Sequence, residues 1–448
     1  MLSVSQAEAR CASLIEAACK AGADAADALY IGDGSTSIQV RLGALEDVER
    51  SEGEEIGLRL FVGRRSASVS SSDLSREALL ALVERALAMA REAPEDPYAG
   101  LAPEDRLLRG PGADVAGDDG AEPSPAALKA RALEMEAIAR AFPGITNSEG
   151  AGLSAGRSVT ALATSHGFCR GYTTSGYSGS VSVLAGSGSD MQRDYATHSS
   201  RHFADLDGPE ALGRLAAERA LARVGPGKLP SGTMPVVFDP RVGPTLIGHL
   251  ISAINGAAIT RRTSFLLGRE GEPVFPEEII ILDDPHRPRG LRSKPFDGEG
   301  LSTAPRKLVD AGRLTGWLLD STSARQLGLE PTGHATRGIG GSPSASATNV
   351  DLAAGTLSRA ELIGDIGRGL LVTELIGQGV NPVTGDYSRG ASGFVIEGGE
   401  VRGPVAEITI AGNLLDMFRN LSVANDLEHR RAVNVPTIRI EGMMIAGA

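Results

Sequence analysis

Glycine content constrains this chain more than any other feature of its sequence. Glycine accounts for 57 of the 448 residues, whereas aromatic residues make up only 4%. Because glycine alone enters conformations with positive φ without steric cost, this content indicates many tight turns between short strands. The length exceeds what one hydrophobic core usually organises, so we expect two domains.

Helical and strand periodicities alternate in the first half of the chain. The pattern predicts a first helix over residues 6–21, with Ser5 and Glu8 as its capping box. Ser124 followed by Pro125 predicts the start of another helix, because serine caps helices and proline is preferred at their first position. Residues 94–123 are rich in proline, glycine and acidic residues, which favours an exposed loop. The remaining segments, mainly 28–71 and 145–204, have the character of antiparallel strands.

We place the domain boundary at the Gly-Pro-Gly of residues 225–227. Residues 1–227 are then an N-terminal domain of mixed α/β character with antiparallel strands. Residues 228–448 form a C-terminal domain that is mainly β with a few helices, including one predicted over the apolar segment 243–259. Gly398-Gly399 lies between two strand-like runs, as a hairpin turn requires. The predicted fold class is therefore α+β.

Composition excludes several classes of function. The formal net charge of −12 has the wrong sign for neutralising phosphates, so we expect no direct nucleic-acid partner. The sequence has no apolar run long enough to span a bilayer and no signal-peptide pattern at its start, so we expect a cytoplasmic protein without membrane contact. Its three cysteines, at irregular spacing, indicate neither a disulfide framework nor a thiolate metal site.

Histidines provide the first candidates for catalysis. His198 and His202 have the i, i+4 spacing of a zinc pair, but they lack the intervening glutamate and follow a strand-like stretch, so surface histidines are the simpler interpretation. His249 lies in an otherwise apolar helical segment, where its imidazole needs a partner. It is either a structural histidine or a catalytic residue, and the sequence leaves both open.

The densest polar cluster of the second half is Asp386-Tyr387-Ser388-Arg389-Gly390-Ala391-Ser392-Gly393. It combines a fixed cation and hydroxyl groups with flexible glycines, which favours a loop. Such a loop could hold a peptide carboxylate or backbone through Ser388 and Arg389. A tight turn whose arginine pairs with a neighbouring acidic residue is an equally open interpretation.

Several long segments resemble the TldD/PmbA family, once called modulators of DNA gyrase. They follow one another in family order along nearly the whole chain: NSEG (147–150), the segment beginning KPFDGEG (294–338), LLVTELIGQGVNPVTGDYSRGASGF (370–394), PVAEITIAGNLLDMFRNLSVANDLEHR (404–430) and TIRIEGMMIAG (437–447). The catalytic TldD branch resembles a metalloprotease that binds zinc through a helical His-Glu-x-x-x-His and a late cysteine. Aligning Leu246-Ile247 with the residues before that motif places Gly248, His249 and Ala253 at its three functional positions.

The resemblance therefore implies the TldE/PmbA branch, because neither Gly248 nor Ala253 can ligate a metal and the late cysteine is missing. It implies a catalytically silent chain without its own cofactor, paired with a TldD-type subunit that holds the zinc and cleaves unfolded peptides. The peptide could bind by adding a strand to an exposed sheet edge. The sequence leaves a homodimer possible. Two other hypotheses remain: an independent peptide hydrolase that uses His249, and a regulatory protein that binds DNA gyrase.

Overall fold

Two blocks of β-sheet, one from each half of the sequence, organise the fold. A computed structural model describes residues 1–447, except for the side chain of Ser189. No helix in this part of the chain is both long and apolar enough to cross a membrane. The strands of one block precede residue 201 and those of the other follow residue 231. The predicted boundary at residues 225–227 stays a prediction.

The first half combines one long sheet with helices that cover it. Its elements are α1 (Val4–Lys20), β1 (Ala25–Arg41), β2 (Ala44–Val62), β3 (Arg65–Ser71), α2 (Arg76–Glu92), α3 (Pro125–Arg140), β4 (Ile145–Thr164), β5 (Cys169–Ala185), β6 (Gln192–Ser200) and α4 (Pro209–Ala222). The sheet has the order β3-β2-β1-β4-β5-β6, and all its neighbouring strands are antiparallel. This arrangement confirms the predicted α+β class.

Helix starts show what local sequence could specify. Ser124 caps α3 by accepting a hydrogen bond from the Ala127 amide, and Pro125 follows it as predicted. The predicted capping box of the first helix is wrong. Ser3 and Gln6 form that box instead, because the helix begins at Val4, two residues earlier than expected. Both serine-containing patterns satisfy the capping rule, so the rule alone could not choose between them.

The connection over residues 94–123 is not simply an exposed loop. Ala102 and Leu107 are buried in a small apolar cluster that includes Phe296 from the second half. The guanidinium of Arg325 donates hydrogen bonds to the carbonyl oxygens of Tyr98, Gly100 and Leu101. This part of the prediction is wrong because a few apolar residues within a polar segment suffice to pack it against the rest of the molecule.

The second half is built from many short strands and short helices. Its elements are β7 (Gly232–Phe238), α5 (Pro244–Ala253), α6 (Gly256–Thr260), β8 (Ile281–Asp283), β9 (Arg306–Asp310), β10 (Arg313–Leu314), α7 (Ser321–Leu327), β11 (Ala335–Thr336), β12 (Ser344–Ala345), β13 (Val350–Leu352), α8 (Arg359–Gly364), β14 (Arg368–Ile376), β15 (Asp386–Glu397), β16 (Glu400–Asn413), α9 (Leu414–Arg419), β17 (Leu421–Val423), β18 (Val433–Asn434) and β19 (Ile438–Ala446). A smaller sheet has the order β10-β9-β8-β13-β18.

Five strands of the second half close into a ring. The larger sheet has the order β16-β15-β14-β7-β19-β17, and an additional pairing of β16 with β19 joins its two sides. Gly398 and Gly399 form the predicted hairpin turn between β15 and β16, with φ values of +59° and +78° that favour glycine. β15 lies between β14 and β16 and pairs with both, so this strand has little freedom to change register.

A buried ion cluster joins the two halves. Asp27 on β1 accepts a hydrogen bond from Nε of Arg59 on β2 at 2.9 Å, and it also pairs with Arg337 from the second half. All three side chains are almost fully buried. Gly57 lies beside this cluster, where an added Cβ would come within 1.8 Å of the Ile339 carbonyl oxygen. The segment around Arg337 therefore packs directly onto β2.

Glu299 lies in the same region and is held mainly in its protonated form below neutral pH. One of its carboxylate oxygens accepts hydrogen bonds from the backbone amide and hydroxyl of Ser321, at 2.9 and 2.8 Å. The other oxygen is buried without a hydrogen-bond partner among the described residues. Burial and the neighbouring Asp297 raise the pKa of Glu299 to about 7, although Arg59 opposes the shift.

We expect Asp27→Asn to lower the stability of the protein by about 3–5 kcal/mol, because it removes the carboxylate with which two buried arginines pair. Thermal unfolding followed by calorimetry would measure the loss. Glu52→Gln is the control, since Glu52 pairs with Arg50 on the exposed surface. Equal melting temperatures for the two variants would contradict the role of Asp27.

We expect Glu299→Gln to stabilise the protein increasingly as the pH rises. The pKa of this glutamate is about 7 in the folded protein and about 4.3 in an unfolded chain, so its ionisation costs stability progressively between these values. The variant should match wild type near pH 4 and exceed its melting temperature at pH 8. Glu134→Gln, on the exposed face of α3, is the control. A constant difference between Glu299→Gln and wild type across this range would contradict the shift.

Candidate functional site

Helix α5 presents His249 beside a buried apolar face. The helix begins with Pro244 at a first-turn position and buries Leu246, Ile247, Leu250 and Ala253. These positions recur with helical spacing, so the first part of the predicted helix forms, but it ends at Ala253, and Asn255 caps a second short helix, α6. His249 is half-buried at the margin of this face, and an added Cβ at the preceding Gly248 would meet no atom within 4 Å. The helix surface next to His249 is therefore open.

Strand β15 carries the polar cluster that the sequence suggested was a loop. Successive side chains of a strand point to opposite faces of the sheet, so Tyr387 and Arg389 share one face and Ser388 lies on the other. Tyr387 and Arg389 are buried, with 1% and 7% of their surface exposed, whereas Ser388 is exposed. The loop prediction is wrong, because β16 pairs with this segment from Asp386 onward and β14 pairs with it from Gly390 onward.

His249, Tyr387 and Arg389 form the most unusual polar group in the described part of the chain. The rings of His249 and Tyr387 meet edge to face, with centroids 6.0 Å apart and an interplanar angle of 79°. Nε2 of His249, the hydroxyl of Tyr387 and Nε of Arg389 are buried and have no hydrogen-bond partner among the described residues. Buried polar atoms are normally paired, so three unpaired atoms on neighbouring side chains indicate a site that awaits a ligand.

Burial and the charge of Arg389 fix the protonation states in this group. Burial lowers the pKa of His249, and the positive charge of Arg389 lowers it further. Burial raises the pKa of Tyr387 to about 12, although Arg389 opposes this rise. At neutral pH the group therefore combines a neutral imidazole, a neutral phenol and a single positive charge.

Zinc does not fit this site. The side chains of Gly248 and Ala253 contain no atom that can ligate a metal, and His249 alone supplies only one nitrogen. The described residues contain no group of three or more histidine, cysteine, aspartate or glutamate side chains arranged to hold a metal ion. Arg389 adds a positive charge next to His249, which disfavours a second cation there.

The other predicted pair of histidines has structural contacts. His198 lies on β6 and accepts a hydrogen bond from the Asp207 amide at its Nδ1, at 3.0 Å. His202 follows the strand, and its Nε2 is 2.9 Å from the carbonyl oxygen of Ala116. Both are partly buried rather than free on the surface. Their separation by four residues therefore occurs outside a helix, where extended backbone places such residues roughly 13 Å apart instead of on adjacent turns.

Two cavities lie at other places in the molecule. One of about 660 Å³ is lined by α4, β6 and the segment 426–435, and its arginines face nearby acidic residues, as in the pairs Arg430–Asp207 and Arg359–Asp239. The other, also about 660 Å³, lies beside β2 and is lined by acidic side chains. Neither is lined by His249, Tyr387 or Arg389, and the mixed charges of the first match a network of ion pairs.

Comparison with known proteins identifies the family. Profiles for domain 1, the central domain and the C-terminal domain of PmbA/TldA metallopeptidases match residues 26–90, 118–224 and 231–447. The chain belongs to the PmbA/TldD metallopeptidase family. It is 41% identical to Metalloprotease PmbA of Escherichia coli O157:H7, over 92% of this chain and 90% of that protein. It is 38% identical to a Metalloprotease PmbA homolog of Haemophilus influenzae, over 97% and 94% of the two chains.

Solved structures of family members have the same fold. A protein of Bacteroides thetaiotaomicron, described as a candidate modulator of DNA gyrase, matches with a TM-score of 0.90 and 27% identity over 98% of this chain and 99% of that chain. TldE from Thermococcus kodakarensis matches with a TM-score of 0.87 and 24% identity over 98% of this chain and all of its own. The predicted PmbA/TldD-like architecture is therefore confirmed.

Sequence reasoning selected Ser388 with Arg389 and considered His249 separately. The structure instead brings His249 together with Arg389 and adds Tyr387, which the sequence analysis did not single out. Alternation along a strand would have found Tyr387, because it is two residues from Arg389 and shares its face. Ser388 as a substrate contact stays a prediction.

We expect His249 to be neutral at pH 7 and to titrate at a higher pH in Arg389→Met than in wild type. The substitution removes the positive charge but leaves the burial, so the pKa should rise and still lie below its ordinary value. Nuclear magnetic resonance of the imidazole protons would follow the titration. His198, which lies beside Asp207, is the internal control. An unchanged His249 titration in the variant would show that Arg389 does not act on it.

Proposed function

We propose that this chain is a cytoplasmic, non-catalytic subunit of a two-component metallopeptidase. Its partner would be a TldD-type subunit that holds zinc and cleaves unfolded peptides, and this chain would help to form the chamber around the substrate. Family membership supports the connection with proteolysis. The observation that carries the assignment is that Gly248 and Ala253 have no side-chain atom that can ligate a metal. The positive charge of Arg389 near His249 further disfavours a metal ion there.

A catalytic role for His249 has weak chemical support. A general base needs a nucleophile or water within hydrogen-bond reach and usually a second group that orients it. Nε2 of His249 has no hydrogen-bond partner among the described residues, and its edge-to-face neighbour is Tyr387, whose raised pKa keeps it protonated. These features favour binding over hydrolysis.

The open edge of β2 offers a place for an extended peptide. β3 pairs only with residues 56–62 of β2, so residues 44–55 have a strand on one side only within the described chain. These residues are mostly exposed. Strand addition at such an edge would use main-chain hydrogen bonds and therefore place few demands on the peptide sequence.

We expect peptidase activity on an unfolded substrate only when this chain is mixed with a TldD-type partner, and we expect a chelator to abolish it. The assay compares this chain, the partner and the mixture, each with and without chelator. His249→Gln in this chain should leave the activity of the mixture measurable, because the zinc belongs to the partner.

Other outcomes would favour the alternatives. Chelator-resistant turnover by this chain alone would overturn the proposal and support a hydrolase that uses His249. Stable association with DNA gyrase in the absence of a TldD-type protein, without any gain of peptidase activity in the mixture, would instead support the regulatory role suggested by the description of the Bacteroides protein.

A further inference from the structure

Arg389 carries a buried charge that its surroundings do not neutralise. Only 7% of its surface is exposed, its Nε is buried without a hydrogen-bond partner, and no acidic side chain forms an ion pair with it among the described residues. A buried charge without a partner is strongly unfavourable, which is why such groups are nearly always paired. Arg59 and Arg337, both similarly buried, share Asp27. Arg389 therefore lacks what the other buried arginines have.

The neighbours of Arg389 add hydrogen-bonding groups without adding charge. The Tyr387 hydroxyl can donate one hydrogen bond, and Nε2 of a neutral His249 can donate another in one of its tautomers. Both atoms are buried and unpaired among the described residues. The adjoining helix surface is open at Gly248, where an added Cβ would meet no atom within 4 Å, and His249 itself is only half-buried.

We propose that Arg389, Tyr387 and His249 form a binding site for one carboxylate group of a peptide. A planar guanidinium matches a carboxylate with two parallel hydrogen bonds, and its single positive charge balances a monoanion. A phosphate dianion would leave excess negative charge in the same buried place. The identification of the ligand as a peptide rests on the proposed function. The choice of a carboxylate as the group that binds follows from the chemistry of the three side chains.

Binding of short peptides to the full chain tests this site. Isothermal titration at pH 7 would compare N-acetyl-alanyl-alanine with its C-terminal amide, and with a C-terminally amidated peptide that carries one internal glutamate. We expect the free acid to bind and the alanine amide not to bind. Binding of the glutamate peptide would identify a side-chain carboxylate as a second source of the same group, and its failure would restrict the site to the peptide C-terminus.

Two variants connect the binding to these residues. Arg389→Met should abolish carboxylate binding. It should also raise the melting temperature of the free protein, because it replaces a buried charge that has no ion pair with an apolar side chain of similar length. Tyr387→Phe retains the ring and should weaken binding about tenfold through the loss of one hydrogen bond. Arg241→Met is the matched control: Arg241 is also buried but pairs with Asp194, so its loss should lower the melting temperature and leave binding intact.

Three results would overturn the site: equal binding of the acid and the amide, carboxylate binding that survives in Arg389→Met, or no carboxylate-dependent binding in the millimolar range. None of them affects the assay of the mixed subunits, which reports on the proposed function. Conversely, an inactive mixture together with carboxylate binding that requires Arg389 would retain the site and remove the proposed role in proteolysis.

Discussion

Asp27 holds together parts of the molecule that are distant in sequence. It accepts hydrogen bonds from an arginine on the adjacent strand and from Arg337, more than 300 residues further along the chain. Removing three charges from water is unfavourable unless they compensate one another, so the cluster specifies one relative position of β2 and the segment after residue 336. The close approach of Gly57 to Ile339 depends on the same contact.

The ring of the second half imposes a comparable constraint on Arg389. Because β14 and β16 fix the register of β15, Arg389 cannot turn to the outer face without moving the whole strand. The same protein thus contains buried arginines in two states. Those near Asp27 pair with a carboxylate of the chain, whereas Arg389 has no such ion pair among the described residues, which is why we propose that an external carboxylate binds there.

Local signals in the sequence were sufficient where a feature depends on neighbouring residues. Ser124 with Pro125, and the glycine pair at 398–399, both specify their turns or caps through backbone chemistry. The segment 386–393 was misinterpreted because its glycines and serines are typical of turns, while pairing with two other strands decides its conformation. The side chains next to His249 and the pKa of Glu299 depend on contacts between residues distant in sequence, which the hydrophobic periodicity of the sequence does not reveal.

The closed ring also determines when the second half can assemble during synthesis. β7 (Gly232–Phe238) leaves the ribosome first among the five strands, but its neighbour β19 (Ile438–Ala446) is the last of them to be synthesised. The sheet of the first half is complete by residue 200 and can form while translation continues. The ring cannot close before β19 has been synthesised, so nascent β7 and β14 expose apolar surface that the ring later buries, and this interval is one in which incompletely paired strands are prone to aggregate.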